Sequence, residues 1–343
     1  MPRLIDDLRD AYEAYQAFGS ERAAADALGL AKTTFHDRLR EARQVFEQQD
    51  LDEDPFITPV LPSEETPVDE LIDRMVSTFE RKRKAREARR WIPVKVETDK
   101  PIGLAFLGDP HIDDPGCDWP TLKRHLDIIN KTSGMRSINI GDTTNNWVGR
   151  LARLYADQET TQSQAWQLTE WFIREANFML IINGNHDMWS GASDPVQWMK
   201  GCHQLQEDWT ARVELQFKNG KVMRFIASHD FPGHSQWNPL HANMKMAKFL
   251  SSAHLYIAGH RHNWALSHIE LPESGTCPWL ARARGYKFFD HYALTKGYEE
   301  QQHGHSIGVI IDPNETNESK FVQCFADLEE AADYLTFKRS KYA

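Results

Sequence analysis

The sequence contains no stretch of 18 or more consecutive apolar residues, the length a membrane-spanning helix needs, so no span is expected. Cysteine is scarce. Cys117, Cys202, Cys277 and Cys324 are scattered without any C-x-x-C spacing. That argues against a disulfide framework and against a cysteine zinc site, and it fits a reducing, cytoplasmic setting. The opening residues MPRLIDDLRD are polar and acidic, so no secretory signal is expected there. No internal repeat or low-complexity tract is present. Positive charge is in deficit, 40 Lys and Arg against 50 Asp and Glu, which disfavours a general nucleic-acid coat but permits a locally basic face. Histidine, in contrast, is plentiful: 15 residues, unevenly spread.

A chain of 343 residues predicts two domains with a linker. Residues 1–46 read as a small all-α domain. Leu4, Leu8, Ala11, Tyr12 and Tyr15 recur at helical spacing. Ser20 to Leu28 and Lys32 to Phe46 then form two segments around Gly29-Leu30-Ala31. Glycine turns left-handed without strain, so Gly29 is a natural helix end. Two short helices around such a turn make a helix-turn-helix candidate. Residues 47–66 read as an acidic, proline-rich linker; positions 49–73 hold nine acidic residues and no Lys or Arg. Thr66-Pro67-Val68-Asp69 opens a helix over 67–91, with Thr66 as cap and Pro67 first in the helix. The end of that helix, RKRKAREARR, has seven basic residues against Glu87.

Residues 92–343 read as one α/β domain. Strands are expected at 102–108, 136–140, 178–182, 212–217, 222–228, 254–258, 264–270, 306–311 and 319–325. Helices are expected at 119–131, 160–176, 194–205 and 240–250. Asn219-Gly220 between two apolar runs is a hairpin signal.

The ends of these strands carry the chemistry. After GLAFLG comes Asp109-Pro110-His111. After SINIG comes Asp142, within GDTTNNW. After FMLIING come Asn185, His186 and Asp187. After VMRFIAS comes His229, and after HLYIAG come His260, Arg261 and His262. In open α/β sheets the ligand crevice lies outside the strand ends. Glycines 108, 141, 184 and 259 are expected to let the backbone turn there. Carboxylates, imidazoles and one amide oxygen, without thiolate, suit two divalent ions, Mn2+ first, with Fe or Zn as alternatives. A pair about 3.5–4 Å apart shares a carboxylate and activates water against phosphorus. A lone D-x-H or H-x-H is more often a surface pair; five such ends in one chain are another matter.

With these motifs, DPH (109–111), GDTTN (141–145), GNHD (184–187), the isolated His229 and GHRH (259–262), the sequence resembles the calcineurin-like metallophosphoesterase superfamily over residues 95–325. The resemblance implies a four-layered αββα sandwich with a dinuclear site. By position it implies that Asp109, His111 and His262 hold one ion, that Asn185, His229 and His260 hold the other, and that Asp142 bridges them. It places His186 beside the substrate, as general acid or as a stabiliser of phosphoryl charge, with Asp187 orienting it. Some protein phosphatases of the superfamily extend the second motif with an acid and an arginine; Asn145 and Asn146 stand here instead. The pattern is more similar to the phosphodiesterase and repair-nuclease branches.

Among the remaining candidates, His303 and His305 precede a strand and read as surface or supporting residues. His234 and His241 are candidates for a pocket wall. Arg282, Arg284 and Lys287 read either as phosphate contacts or as a solvated loop. GSERAAADALGLAKTTFHDRLREA resembles the helix-turn-helix of the Fis-like bacterial DNA-binding proteins. Ala24, Ala25 and Leu28 would pack its first helix and Leu30, Phe35 and Leu39 its second. Lys32, Thr34, His36 and Arg40 would face DNA. Arg81, Lys82, Arg83 and Lys84 are candidates for phosphate-backbone contact. Seven basic against eight acidic residues in the first 45 leave dimerisation or docking as the alternative role. The combination predicts a DNA-directed, metal-dependent phosphodiesterase of bacterial or phage type, in which an activated hydroxide attacks phosphorus. The alternatives are a nucleotide or small-phosphoester hydrolase with an assembly module, forming a homo-oligomer, and a DNA-binding regulator with a vestigial metal site.

Overall fold

A computed structural model describes residues 5–46, 65–190, 195–199, 201, 204–250, 252–288 and 301–342. The expected linker lies almost wholly outside them, as does Cys202. The chain divides into two compact units, 1–75 and 76–343. No described helix is long and apolar enough to cross a membrane.

The first unit holds α1 (Ile5–Phe18), α2 (Glu21–Ala27) and α3 (Lys32–Phe46). Ser20 caps α2, its hydroxyl accepting from the Ala23 N–H at 3.3 Å. Gly29 takes φ +62°, the left-handed conformation the turn requires. Ala11, Ala14, Ala24, Ala25, Phe35 and Leu39 form the buried core, with Tyr12, Tyr15 and Leu30 packed against it. Leu28, expected inside, is 38% exposed, because it lies beyond the last turn of α2. The basic helix follows as α4 (Val68–Ala88) and buries no residue. Exposed pairs along it, such as Arg74–Glu70 and Arg83–Glu80, are worth little each.

Among the described residues of the second unit, twelve strands form two six-stranded sheets. They are β1 (Ile92–Val96), β2 (Ile102–Leu107), β3 (Met135–Asn139), β4 (Phe178–Asn183), β5 (Leu205–Asp208), β6 (Thr210–Phe217), β7 (Val222–Ser228), β8 (Leu255–Ala258), β9 (Ala265–His268), β10 (Trp279–Arg282), β11 (Ser306–Ile311) and β12 (Val322–Phe325). One sheet runs β12-β11-β2-β3-β4-β5, the other β1-β6-β7-β8-β10-β9. The period-2 alternation of each strand sends one set of side chains between the sheets. Leu104, Phe106, Ile138, Leu180, Phe225, Leu255 and Ile257 meet there, Phe106 edge-on to Phe225 at 5.5 Å. The other set meets helices. Beneath the first sheet lie α5 (Trp119–Lys131), α6 (Gln162–Glu175) and a C-terminal helix, Leu328–Ser340, which is not among the helices expected from sequence. Beneath the second lies the helix His241–Phe249. The result is the four-layered αββα sandwich. Burial on both faces explains why the central strands are continuously apolar.

Three strands were not expected. β1, IPVKV, contains a proline, which an edge strand tolerates. β5, LQED, is a polar edge strand where the expected helix 194–205 was to end; of that helix the described residues show only Val196–Met199. β10, WLAR, has three good helix formers, Leu280, Ala281 and Arg282, but sits between β8 and β9. The expected strand 319–325 begins as a helical turn, Glu318–Phe321.

Candidate metal centre

The parallel strands β2, β3 and β4 deliver their C-terminal loops to one edge of the first sheet, and parallel β7 and β8 do the same in the second. Asp109, His111, Asp142, His229, His260 and His262 are brought together there. Asp109, Asp142, His229 and His260 form one group with donor atoms within 4.8 Å of one another. Asp109, His111 and His262 form a second group, and His111, Asp142 and His186 a third. Asp142 lies at the middle: its Oδ2 is 3.2 Å from His229 Nε2, 3.8 Å from His186 Nε2 and 3.9 Å from His111 Nε2. Asn185 joins through its Oδ1, 3.0 Å from His229 Nε2, which is also 3.0 Å from His260 Nδ1.

The loops are tightly built. Asp109, His111, Asp142, His260 and His262 all have positive φ, between +39° and +68°. Such conformations cost a non-glycine residue of order 1–3 kcal/mol each and persist only where their surroundings hold them. Of the four glycines expected to turn the chain, only Gly141 has positive φ, at +110°. Gly184 is needed for space: a Cβ there would lie 2.2 Å from Asp142 Oδ1.

Electrostatically the groups of the centre act strongly on one another. Burial, reinforced by the Asp142 carboxylate, pushes the Asp109 carboxyl up to about 8. Burial disfavours a charged His229 ring, yet the Asp142 and Asp109 carboxylates overcome it and push the imidazole up to about 10. Asp142 is itself buried, but His229 and His186 hold it well below the usual carboxylate range. Burial and the neighbouring His229 push His260 down to about 4, and burial lowers His111. Divalent ions fit this donor set. Asp109 Oδ1 is buried and accepts no hydrogen bond among the described residues. His229 Nε2 lies 3.0 Å from both Asn185 Oδ1 and His260 Nδ1, the spacing of neighbouring ligands bonded at about 2.0–2.2 Å to one ion.

His186 and Asp187 have different surroundings from those expected. The Asp187 carboxylate does not orient the His186 ring. It is buried and accepts from the N–H groups of Asp142 at 2.8 Å, Gly184 at 2.8 Å and Thr143 at 3.1 Å, tying two loops together. The ring is instead held through Nδ1, 2.6 Å from the Asn145 carbonyl. A carbonyl only accepts, so Nδ1 carries a proton and Nε2 faces Asp142. Asn145 is fixed in turn by Asp113, which accepts from its N–H at 2.7 Å, and by Asp114, which accepts from Nδ2 at 2.8 Å. Asp113 and Asp114 follow His111 by two and three positions. They lie beyond the strand-end motif, carry no signal of their own in the sequence, and are absent from the expected site.

The arginines of ARARGYK do not form a solvated loop. Arg282 is buried, and it donates to Asp230 Oδ1 at 3.1 Å and to the carbonyls of Pro239 and Gly259. Arg284 is also buried and donates to the Gln301 carbonyl. Lys287 pairs with Asp114 at 3.1 Å. His305 lies 3.2 Å from Asp118 Oδ2 and joins none of the donor groups among the described residues. His303, His234 and His241 join none of the donor groups among the described residues.

In the first unit Lys32, Thr34, His36 and Arg40 are exposed on α3. Two of the four have acidic neighbours: His36 Nδ1 is 3.0 Å from Glu21, and Arg40 is 3.9 Å from Asp37. Arg81, Lys82, Arg83 and Lys84 are exposed on α4.

No family model and no curated protein matches this chain. Solved structures similar to it include a predicted phosphoesterase from Streptococcus pneumoniae, 12% identical, covering 66% of this chain and 98% of that one at a TM-score of 0.32. The calcineurin-like phosphoesterase YfkN from Bacillus subtilis is 10% identical, covering 71% and 97% at a TM-score of 0.32. The NAD nucleotidase of Haemophilus influenzae is 8% identical, covering 70% and 56% at a TM-score of 0.34. At such identities and scores these similarities do not assign the chain to a family.

Proposed function

We propose that the chain is a metal-dependent phosphoesterase and that its substrate is a phosphodiester of DNA. The observation that carries this is the position of Asp142, whose Oδ2 lies within 4 Å of the Nε2 atoms of His111, His186 and His229. Asp109, His111 and His262 would hold one divalent ion, Asn185, His229 and His260 the other, and Asp142 would be shared. Such a pair, Mn2+ first with Fe or Zn as alternatives, supplies Lewis-acid activation of water and of a phosphoryl oxygen.

The chain's own residues do the rest. Asp187 locks the loops that carry Asp142 and Asn185. The Asn145 carbonyl fixes Nδ1 of His186 as a donor, which leaves Nε2 turned toward the centre. As a cation, His186 can give the Nε2 proton to the leaving oxygen; bound to a phosphoryl oxygen, the same N–H offsets its charge.

DNA is favoured by the helix-turn-helix shape of α2 and α3 and by the exposed basic run of α4. The acidic neighbours of His36 and Arg40 favour the second reading, in which the first unit serves self-assembly and the substrate is a small phosphoester. Incubation with Mn2+ and, in parallel, duplex DNA, single-stranded DNA and bis-p-nitrophenyl phosphate separates these. DNA cleavage supports the first reading, cleavage of the small ester alone the second. Hydrolysis of neither would leave a DNA-binding protein with a vestigial site. Asp142→Ala should abolish activity and metal uptake; two ions retained by elemental analysis would remove Asp142 from its central role.

A further inference from the structure

Three indoles stand at the centre, and the proposed hydrolysis uses none of them. Trp147 follows the Asp142 loop and Trp189 follows the helical turn that carries His186. The His186 ring lies 4.0 Å from Trp189 and 5.2 Å from Trp147, and the two indoles are 6.1 Å apart at 34°. Both are half-buried. Trp209 stands against the other histidines, 5.2 Å from His229 and 6.3 Å from His260, and is 37% exposed.

Trp209 is held with some force. Its φ is +62°, a conformation that bulky residues avoid. Its N–H donates to the Asn183 carbonyl at 3.0 Å, and its carbonyl accepts from the His229 N–H at 2.8 Å. Nε1 donates to the Asp230 carbonyl at 3.1 Å, which fixes the ring. Beyond Trp147 the chain forms a 3-10 stretch, Gly149–Asp157, with Arg150 and Arg153 exposed. Neither arginine forms an ion pair among the described residues.

Tryptophan is rarely fully buried, so it is not exposure alone but the gathering of three part-exposed indoles against the histidines of one site that points to a ligand. Indoles interleaved with cationic side chains are how proteins hold unpaired nucleic acid, the ring taking a base face and the cation the backbone. A duplex stacks its bases on one another and offers no such face. A phosphodiester has a nucleoside on each side, a terminal monoester only one.

We propose that Trp147 and Trp189 receive an unpaired nucleobase on one side of the reacting phosphate, with Arg150 and Arg153 along the strand beyond, and that Trp209 receives the base on the other side. The substrate class is then an internal phosphodiester of single-stranded DNA. This rests on the hydrolytic reading for the position of the phosphate.

The test compares two strands with the same number of phosphates, one of thymidine and one abasic. Their binding to the full-length protein is measured by fluorescence anisotropy in EDTA at fixed salt. The wild type should prefer the thymidine strand by on the order of 10- to 100-fold. Trp147→Ala and Trp209→Ala should each reduce that preference roughly tenfold, and Trp147→Phe should retain most of it. A merely structural defect would weaken both strands alike. Equal affinity of the wild type for the two strands overturns the proposal, as does an equal loss on both strands in a folded Trp147→Ala protein. If the preference holds but no phosphodiester is cleaved with Mn2+, the base sites stand and the hydrolytic reading fails.

Discussion

Replacing Asp187 with asparagine changes almost no volume, yet it should loosen the centre. The carboxylate accepts three backbone N–H bonds, two on Oδ2 and one on Oδ1. The amide of asparagine can turn its oxygen toward Asp142 and Gly184 and keep two of them. Its NH2 then faces the Thr143 N–H, donor against donor, in a site that is 1% exposed. A hydrogen bond to a charged acceptor contributes about 1.5–3 kcal/mol, and a buried unpaired donor costs about 1–3 kcal/mol. Burial and the Asp142 carboxylate push the Asp187 carboxyl up to about 7, so the two surviving bonds lose charge assistance only where that carboxyl is ionised. A net loss of about 2–4 kcal/mol follows. Part of it should appear as a lower denaturation midpoint and part as weaker metal binding, since Gly141 to Thr143 and Gly184 to Asp187 no longer hold a fixed distance. Urea unfolding with and without Mn2+, together with calorimetric metal titration, measures both. If Asp187→Asn unfolds within about 0.5 kcal/mol of the wild type and binds Mn2+ equally well, the carboxylate is not the tie described here.

Three further outcomes are expected. His186→Ala should keep both ions by elemental analysis and lose about 10²–10⁴-fold in rate on a DNA diester, with a smaller loss on an ester of p-nitrophenolate, which needs little protonation; an equal loss on both would place His186 on the phosphoryl oxygens. Lys32→Glu with Arg40→Glu should weaken duplex binding in a salt-dependent way and leave hydrolysis of a small diester alone, and unchanged duplex affinity would remove α3 as the DNA anchor. Burial holds both His125 and His305 down at about 4. The unfolded chain takes up those protons near pH 6.5, so stability is full above that value and falls as pH drops toward 4, by up to about 1.4 kcal/mol per unit for each ring. His125→Gln should flatten this slope in unfolding measured from about pH 7 to 4, and an unchanged slope would remove His125 as its source.

Much of this architecture was legible because it depends on local pattern. The apolar runs 102–107 and 178–182 are buried on both faces, and a residue that must leave such a run for a ligand crevice announces itself as a sudden Asp, Asn or His. The short helices of the first unit were legible from helical spacing and from Gly29. What could not be read was set by neighbours. β10 has the residues of a helix and is a strand because β8 and β9 lie on either side of it. β5 is polar and, among the described residues, pairs only with β4. Arg282 looks like a surface cation in sequence and is interior because Asp230, itself near a strand end, meets it from another loop.

Asp187 illustrates the same limit within the centre. Its place in GNHD marks it as part of a functional turn, and proximity in sequence suggests His186 as its partner. In the fold, however, the three N–H groups at Asp142, Thr143 and Gly184 converge on the same point from two strands that are adjacent in the sheet. Unpaired, those donors would cost more than an oriented imidazole would gain, so the carboxylate goes to them. The ring is left to the Asn145 carbonyl, and Asn145 to Asp113 and Asp114. The position of His186 is thus decided by a loop 41 residues earlier in the chain, which is where substitutions that spare every metal-type donor should still disturb the chemistry.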